Sequence, residues 1–204
     1  MILGITGGSG SGKTTLLSMI GERGGLVLDC DAIYHQLLEC SDDLLLAIET
    51  RFPGTVEGGR LNRKKLGSIV FSDENALRAL NGITHGAVKA EVLRRLEPKP
   101  ALAAIDAIAL FEGGLAELCD RTVAVTAPVE ERVERLMARE GISEDYARRR
   151  IAAQPPEDWF RRHCDAVLVN DGTMDAFATK CLAFLESCAI IEKKPEGDQN
   201  HDNG

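Results

Sequence analysis

Gly7-Gly8-Ser9-Gly10-Ser11-Gly12-Lys13-Thr14 decides how this chain is read, because it satisfies the phosphate-loop pattern G-x-x-x-x-G-K-[ST] at every position. The apolar run Ile2-Leu3-Gly4-Ile5 precedes it, and Leu16, Met19 and Ile20 follow at helical spacing. The loop therefore sits where a strand turns into a helix, which is the context the pattern requires. Its glycines leave backbone N–H groups free to point inward, and the helix N-terminus adds positive potential at the same point. In such a loop Lys13 reaches the β- and γ-phosphates of a nucleoside triphosphate, and the Thr14 hydroxyl ligates Mg²⁺.

Outward from the loop, Leu26-Val27-Leu28-Asp29 predicts a second buried strand whose C-terminal edge carries Asp29-Cys30-Asp31. Ligands bind at that edge in open α/β sheets, so a carboxylate there can orient or deprotonate a substrate hydroxyl near the γ-phosphate. Asp31 is expected to face substrate, with Asp29 the more structural of the two as a helix cap. From 32 to 52 the apolar positions predict two short helices split around Ser41-Asp42, and Pro53-Gly54 and Gly58-Gly59 mark a loop. A helix follows near Asn62, then a long one capped by Ser72, with Leu77, Leu80, Thr84, Val88, Val92 and Leu96 as its apolar stripe. The run 101–111 predicts a central strand containing Asp106, and 121–125 another. Beyond Pro128 a helix carries Val129, Val133, Leu136 and Met137 on one face, and Arg132, Arg135 and Arg139 on another. Gly141 ends it, and Ser143 caps a helix running through Arg148-Arg149-Arg150 to Gln154. Residues 166–170 predict the last strand, before a helix that buries Phe177, Cys181, Phe184 and Cys188. Strands alternating with helices after a phosphate loop imply an α/β fold with a parallel, doubly wound sheet.

The 204 residues suit one domain with inserts, and the net charge of −8 argues against broad nucleic-acid binding. Six cysteines form no C-x-x-C pair and no zinc spacing, so free thiols in a reducing cytoplasm are expected. No apolar run approaches a membrane span, and the polar segment 192–204 is expected to be a disordered tail. No Asn-Lys-x-Asp is present to read guanine.

The phosphate loop with Thr15, Asp29-Cys30-Asp31, Arg60-Leu61-Asn62-Arg63, Val70-Phe71-Ser72-Asp73, Leu110-Phe111-Glu112, Arg139, Ile151-Ala152-Ala153-Gln154 and Asn170 together resemble the dephospho-CoA kinase family, in order and spacing, over almost the whole chain. The resemblance implies a P-loop kinase with a five-stranded parallel sheet (core 1–40, 101–134 and 161–191), a helical substrate-binding region at 41–100 and a helical lid at 135–160. It implies transfer of the ATP γ-phosphate, with Mg²⁺, to the ribose 3′-hydroxyl of dephospho-CoA. Gly8, Gly10, Ser11, Gly12, Lys13, Thr14 and Thr15 would hold the ATP phosphates, with Asn170 bordering the adenine. Asp31 takes the place of the catalytic base, His85 that of a histidine near bound substrate, and Arg139 that of a lid arginine near the phosphates. For the basic cluster of Arg60, Arg63, Lys64 and Lys65, a hold on the substrate's diphosphate and a solvated helix face stay open. Asp106 either assists Mg²⁺, Asp31 and Lys13 or caps its strand, and the run 148–150 either meets phosphate or pairs with Glu144 and Asp145. His35 stands where much of the family has arginine, and a largely neutral imidazole binds anions more weakly. A monomeric cytoplasmic enzyme is expected; the competing readings are another small-metabolite or nucleoside-monophosphate kinase, and a nucleotide-binding module without catalysis.

Overall fold

A parallel sheet carries the phosphate loop at its centre. The structure, a computed structural model, describes residues 1–188, and the tail at 192–204 lies outside them. Strand β1 (Ile2–Thr6) leads through the loop into α1 (Lys13–Glu22), followed by β2 (Leu26–Asp29), α2 (Cys30–Cys40) and α3 (Asp42–Arg51). A two-residue hairpin turn at Gly58-Gly59 joins β3 (Val56–Glu57) to β4 (Arg60–Leu61), where the sequence predicts only a loop. Then come α4 (Arg63–Val70), α5 (Glu74–Leu96), β5 (Ala103–Asp106), β6 (Arg121–Thr126), α6 (Val129–Glu140), α7 (Glu144–Ala152), α8 (Glu157–His163), β7 (Ala166–Val169) and α9 (Met174–Ser187).

The sheet order is β2-β5-β1-β6-β7, with all pairs parallel. Leu3 and Ile5 of β1 bury against α1 and α9 through Leu16, Ile20, Phe177 and Leu185. The opposite face packs Leu28 and Ile105 against Ile33, Val88 and Val92 of α2 and α5. Gly4 points to that second face, where an added Cβ would lie 2.8 Å from the Cys119 Sγ. Beyond the sheet, Leu44, Ile48, Phe52, Leu66 and Val70 build a separate cluster that holds α3 and α4 on α5. A last cluster, Val133, Leu136, Ala147 and Ile151, joins α6 to α7.

Two expectations need correction. The strand predicted at 101–111 stops at Asp106, and 107–115 is a chain of tight turns, with Gly113 N–H donating to Ala109 and Leu115 N–H to Leu110. Leu110 is fully buried against the α5 side, so the apolar run reports burial and not extension. The long helix is capped by Asp73, whose carboxylate accepts from Asn75 N–H at 2.8 Å. Ser72 instead donates back to the Ser68 and Ile69 carbonyls at the end of α4. Elsewhere Asn62, Ser143 and Gly141 close their helix ends as their residue types predict.

Candidate active site

Parallel strands bring their C-terminal ends to one edge, and the register places Asp29 of β2 opposite Asp106 of β5. A cleft at that edge is lined by the loop Gly8–Thr14, by Asp29, Asp31 and Asp106, and by Arg135, Arg139 and Arg150 from the helices above. Acid below and base above, with backbone N–H groups between, is the arrangement a polyphosphate and its cation need.

Two glycines of the loop are fixed by their neighbours. Gly12 caps α1 with φ of 99°, and a Cβ there would meet the Asn170 amide nitrogen at 2.4 Å. At Gly8 a Cβ would lie 2.0 Å from Arg132 Nη2 and 2.7 Å from Gln154 Oε1. Gln154, just beyond α7, grips the loop: its Oε1 accepts from Ser9 N–H and Arg132 Nη2, and its Nε2 donates to Ser9 Oγ. Arg132 Nε also donates to the Ser9 carbonyl, and Arg135 to the Gly10 carbonyl. The α6–α7 pair is thus stitched to the phosphate loop by side chains whose partners lie more than a hundred residues away. Only the three- and four-residue spacing of these arginines on one helix face points to them in the sequence.

Lys13 curls over the loop, donating to the Gly7 carbonyl at 3.0 Å with its Nζ 4.0 Å from Asp106 Oδ1. Burial pushes the Asp106 carboxyl up to about 6; Lys13 opposes this, and Asp29 and Asp31 add to it. As pH rises from about 4, the unfolded chain loses this proton first while the folded chain keeps it, so folding weakens until pH passes about 6. The Asp106→Asn variant escapes that loss. Compared with the unsubstituted protein in nucleotide-free urea titrations, it should gain about 3 kcal/mol between pH 4 and 7. A stability difference between the two proteins that does not change from pH 4 to 7 would contradict the burial of a charged Asp106.

Asp29 accepts from Ala32 N–H at 3.0 Å and so caps α2, which leaves Asp31 in the first helical turn free of that duty. Asp31 and Ile108 border a second, largely apolar cleft, lined also by Cys30, Tyr34, Thr84 and His85. His85 and the loop lysine therefore serve adjoining clefts that meet at Asp31. Arg63 lies outside both, its guanidinium 3.4 Å from His35 Nδ1 beside Tyr34. Asn170 is buried under the loop, donating to the Ser11 carbonyl at 2.9 Å, and so buttresses it. Thr14 lines the phosphate cleft; Thr15 does not. Of the arginine run, Arg148 pairs with Glu130 and Glu144, Arg149 with Asp145, and Arg150 alone reaches the cleft. Burial pushes the Cys30 and Cys119 thiols up to about 12, and every described cysteine is free.

A parallel sheet with a phosphate loop after its central strand, a second cleft beside it and arginine-bearing helices above defines a P-loop kinase. A shikimate kinase from Bacteroides thetaiotaomicron shares that fold, with a TM-score of 0.57 at 13% identity over 94% of this chain and 99% of its own. The family model for dephospho-CoA kinase matches residues 1–176. A dephospho-CoA kinase from Thermus thermophilus is 39% identical over 91% of this chain and 90% of its own length. A crystal structure from the same species superposes with a TM-score of 0.77 at 36% identity, covering 92% of this chain and 97% of that one. The chain belongs to the dephospho-CoA kinase family.

Proposed function

We propose that this chain transfers the γ-phosphate of ATP to the ribose 3′-hydroxyl of dephospho-CoA, giving CoA and ADP. The observation that carries this is Asp31, which stands where the phosphate cleft meets the apolar cleft, the position a hydroxyl attacking the γ-phosphorus must occupy. In the step, the 3′-oxygen forms a bond to the γ-phosphorus as the bond to the β,γ-bridging oxygen breaks. Asp31 takes the hydroxyl proton, and ADP carries away the bridging oxygen. Lys13 and the loop N–H groups stabilise the β- and γ-phosphate oxygens, and Arg139 with Arg150 meets charge spreading on the transferring group.

Mg²⁺ fits this donor set. Thr14 and Asp106 offer hard oxygen ligands, and Asp106 Oδ1 is buried without a hydrogen-bond partner. When bound, the ion would neutralise charge on the β- and γ-phosphate oxygens. His85 borders the substrate in this reading, Arg63 with His35 offers positive charge just outside it, and Asn170 supports the loop near the adenine. The region 41–100 then forms the substrate side and 135–160 the lid, although α6 runs unbroken through position 135.

The test is mass spectrometry of products after incubation with Mg-ATP and a panel of dephospho-CoA, nucleoside monophosphates and shikimate. Phosphorylation of dephospho-CoA alone is expected. Turnover of another panel member instead, or ATP binding with no product at all, would overturn the assignment.

A further inference from the structure

Two of the three lid arginines that line the phosphate cleft, Arg139 and Arg150, share one carboxylate. Glu140 is the last residue of α6, and its Oε1 accepts from Arg139 Nη2 at 2.5 Å while its Oε2 accepts from Arg150 Nη1 at 2.5 Å. Gly141 follows with φ of 65°, so the chain reverses and brings the last turn of α7 against the end of α6. The buried cluster Val133, Leu136, Ala147 and Ile151 fixes the two helices in that register. Each oxygen of Glu140 is therefore committed to an arginine of a different helix.

Other ion pairs of this region do something else. Arg148 with Glu130 and Glu144, and Arg149 with Asp145, are exposed pairs whose arginines do not reach the cleft. Arg135 has a carboxylate, Glu131, on its own helix. Glu140 alone among these joins two cleft arginines, and without it both would lose the carboxylate they share. A guanidinium has five N–H donors, so an arginine that spends one on Glu140 keeps others for phosphate oxygens. The Arg139 and then the Arg150 hydrogen bonds hold the Glu140 carboxyl below the usual range, against a desolvation that opposes them, so it stays an anion at neutral pH. With Arg139 59% exposed, Arg150 37% and Glu140 28%, the pairs add little to folding stability. Their consequence lies in where the arginines point.

We propose that Glu140 is a positioning residue for phosphoryl transfer: it splints Arg139 and Arg150 into one unit aimed at the transferring phosphate. The proposal rests on the reading of this cleft as the ATP site. A splint acts in the transition state, where arginine placement counts, more than in the ground state, where the loop already holds the phosphates. Glu140 also sets a negative charge near those phosphates, so its removal leaves ATP binding unchanged or tighter.

The experiment is steady-state kinetics of the full chain with Mg-ATP and dephospho-CoA for Glu140→Ala, Glu140→Gln, Arg139→Ala, Arg150→Ala and the Glu140→Ala/Arg150→Ala double variant, with Tm measured for each. For Glu140→Ala, kcat should fall roughly 10- to 100-fold, the cost of a displaced catalytic group. The KM for ATP should hold or fall. Glu140→Gln keeps the side chain's size and one acceptor oxygen, so it should fold normally and lose less. In the Arg150→Ala background, Glu140→Ala should cost far less than it does alone, since one end of the splint is already gone. An unchanged kcat with a lower Tm would make Glu140 a purely structural tie and overturn the proposal. So would a raised kcat, which would mark Glu140 as an anion competing with phosphate, or full additivity with Arg150→Ala. If Arg139→Ala and Arg150→Ala both leave kcat intact, the reading of the cleft falls and the splint with it. Losses in both arginine variants with none at Glu140 refute the splint alone.

Discussion

Replacing Lys13 with alanine should lower kcat about 10³-fold, the scale on which one preorganised charge at a transferring phosphoryl group acts. The side chain is poised for this. Its ammonium group donates to the Gly7 carbonyl at 3.0 Å, so it already lies over the concave face of the loop. Asp106, 4.0 Å away and largely buried, keeps it from swinging into solvent. ATP binding should weaken far less than turnover, because the backbone N–H groups of the loop and the Gln154–Ser9 clamp do not involve Lys13. Any loss of stability should be modest: the variant gives up the half-hidden Lys13 stem, whose side chain is 14% exposed, but Asp106 then stays protonated to higher pH. Single-turnover kinetics with isothermal titration of a non-hydrolysable ATP analogue separates these effects. A kcat within about tenfold of the unsubstituted protein would remove Lys13 from the mechanism.

The core of the fold is legible in the sequence because its signals are local. Short apolar runs bounded by Gly or Asp mark the strands, and the loop pattern fixes which strand is central. The apolar residues 107–111 mislead for a physical reason: they fill the space between β5 and α5, and burial leaves the same trace in a turn as in a strand. Helix α8 leaves no such trace, since seven residues between Pro156 and Cys164 are too few to show a helical period. At the site, Lys13, Thr14 and Asp31 follow from pattern and strand-end logic. Nothing local distinguishes Arg150 from Arg148 and Arg149. Which of three consecutive arginines meets the cleft depends on how α7 lies against α6, and that is set by Ala147 and Ile151. The contacts of Gln154 to Ser9 and of Glu140 to Arg150 likewise exist only in three dimensions. His85 on its own reads as a packing histidine on its helix; the resemblance alone brings it forward, and the structure seats it in the cleft that Asp31 borders.

Substituting Asp31 with asparagine should reduce kcat about 10²- to 10³-fold, the usual contribution of a positioned general base. Asparagine preserves size and hydrogen-bonding reach but cannot accept the hydroxyl proton. Because Asp29 already accepts the Ala32 N–H, the helix start does not depend on Asp31, and the variant should fold with an unchanged Tm. Removing one of the three carboxylates around the phosphate loop should leave ATP affinity equal or higher. Asp29→Ala provides the contrast: it removes the cap, costs about 1 kcal/mol of stability and should spare most of kcat. The pair of variants thus splits chemistry from folding between two aspartates two positions apart. If Asp31→Asn instead lost ATP affinity with turnover at saturation intact, Asp31 would be a ground-state ligand and the proton would have to leave by another route. If Asp29→Asn matched its loss of kcat, the negative field of the strand edge as a whole, and not one base, would be what the reaction uses.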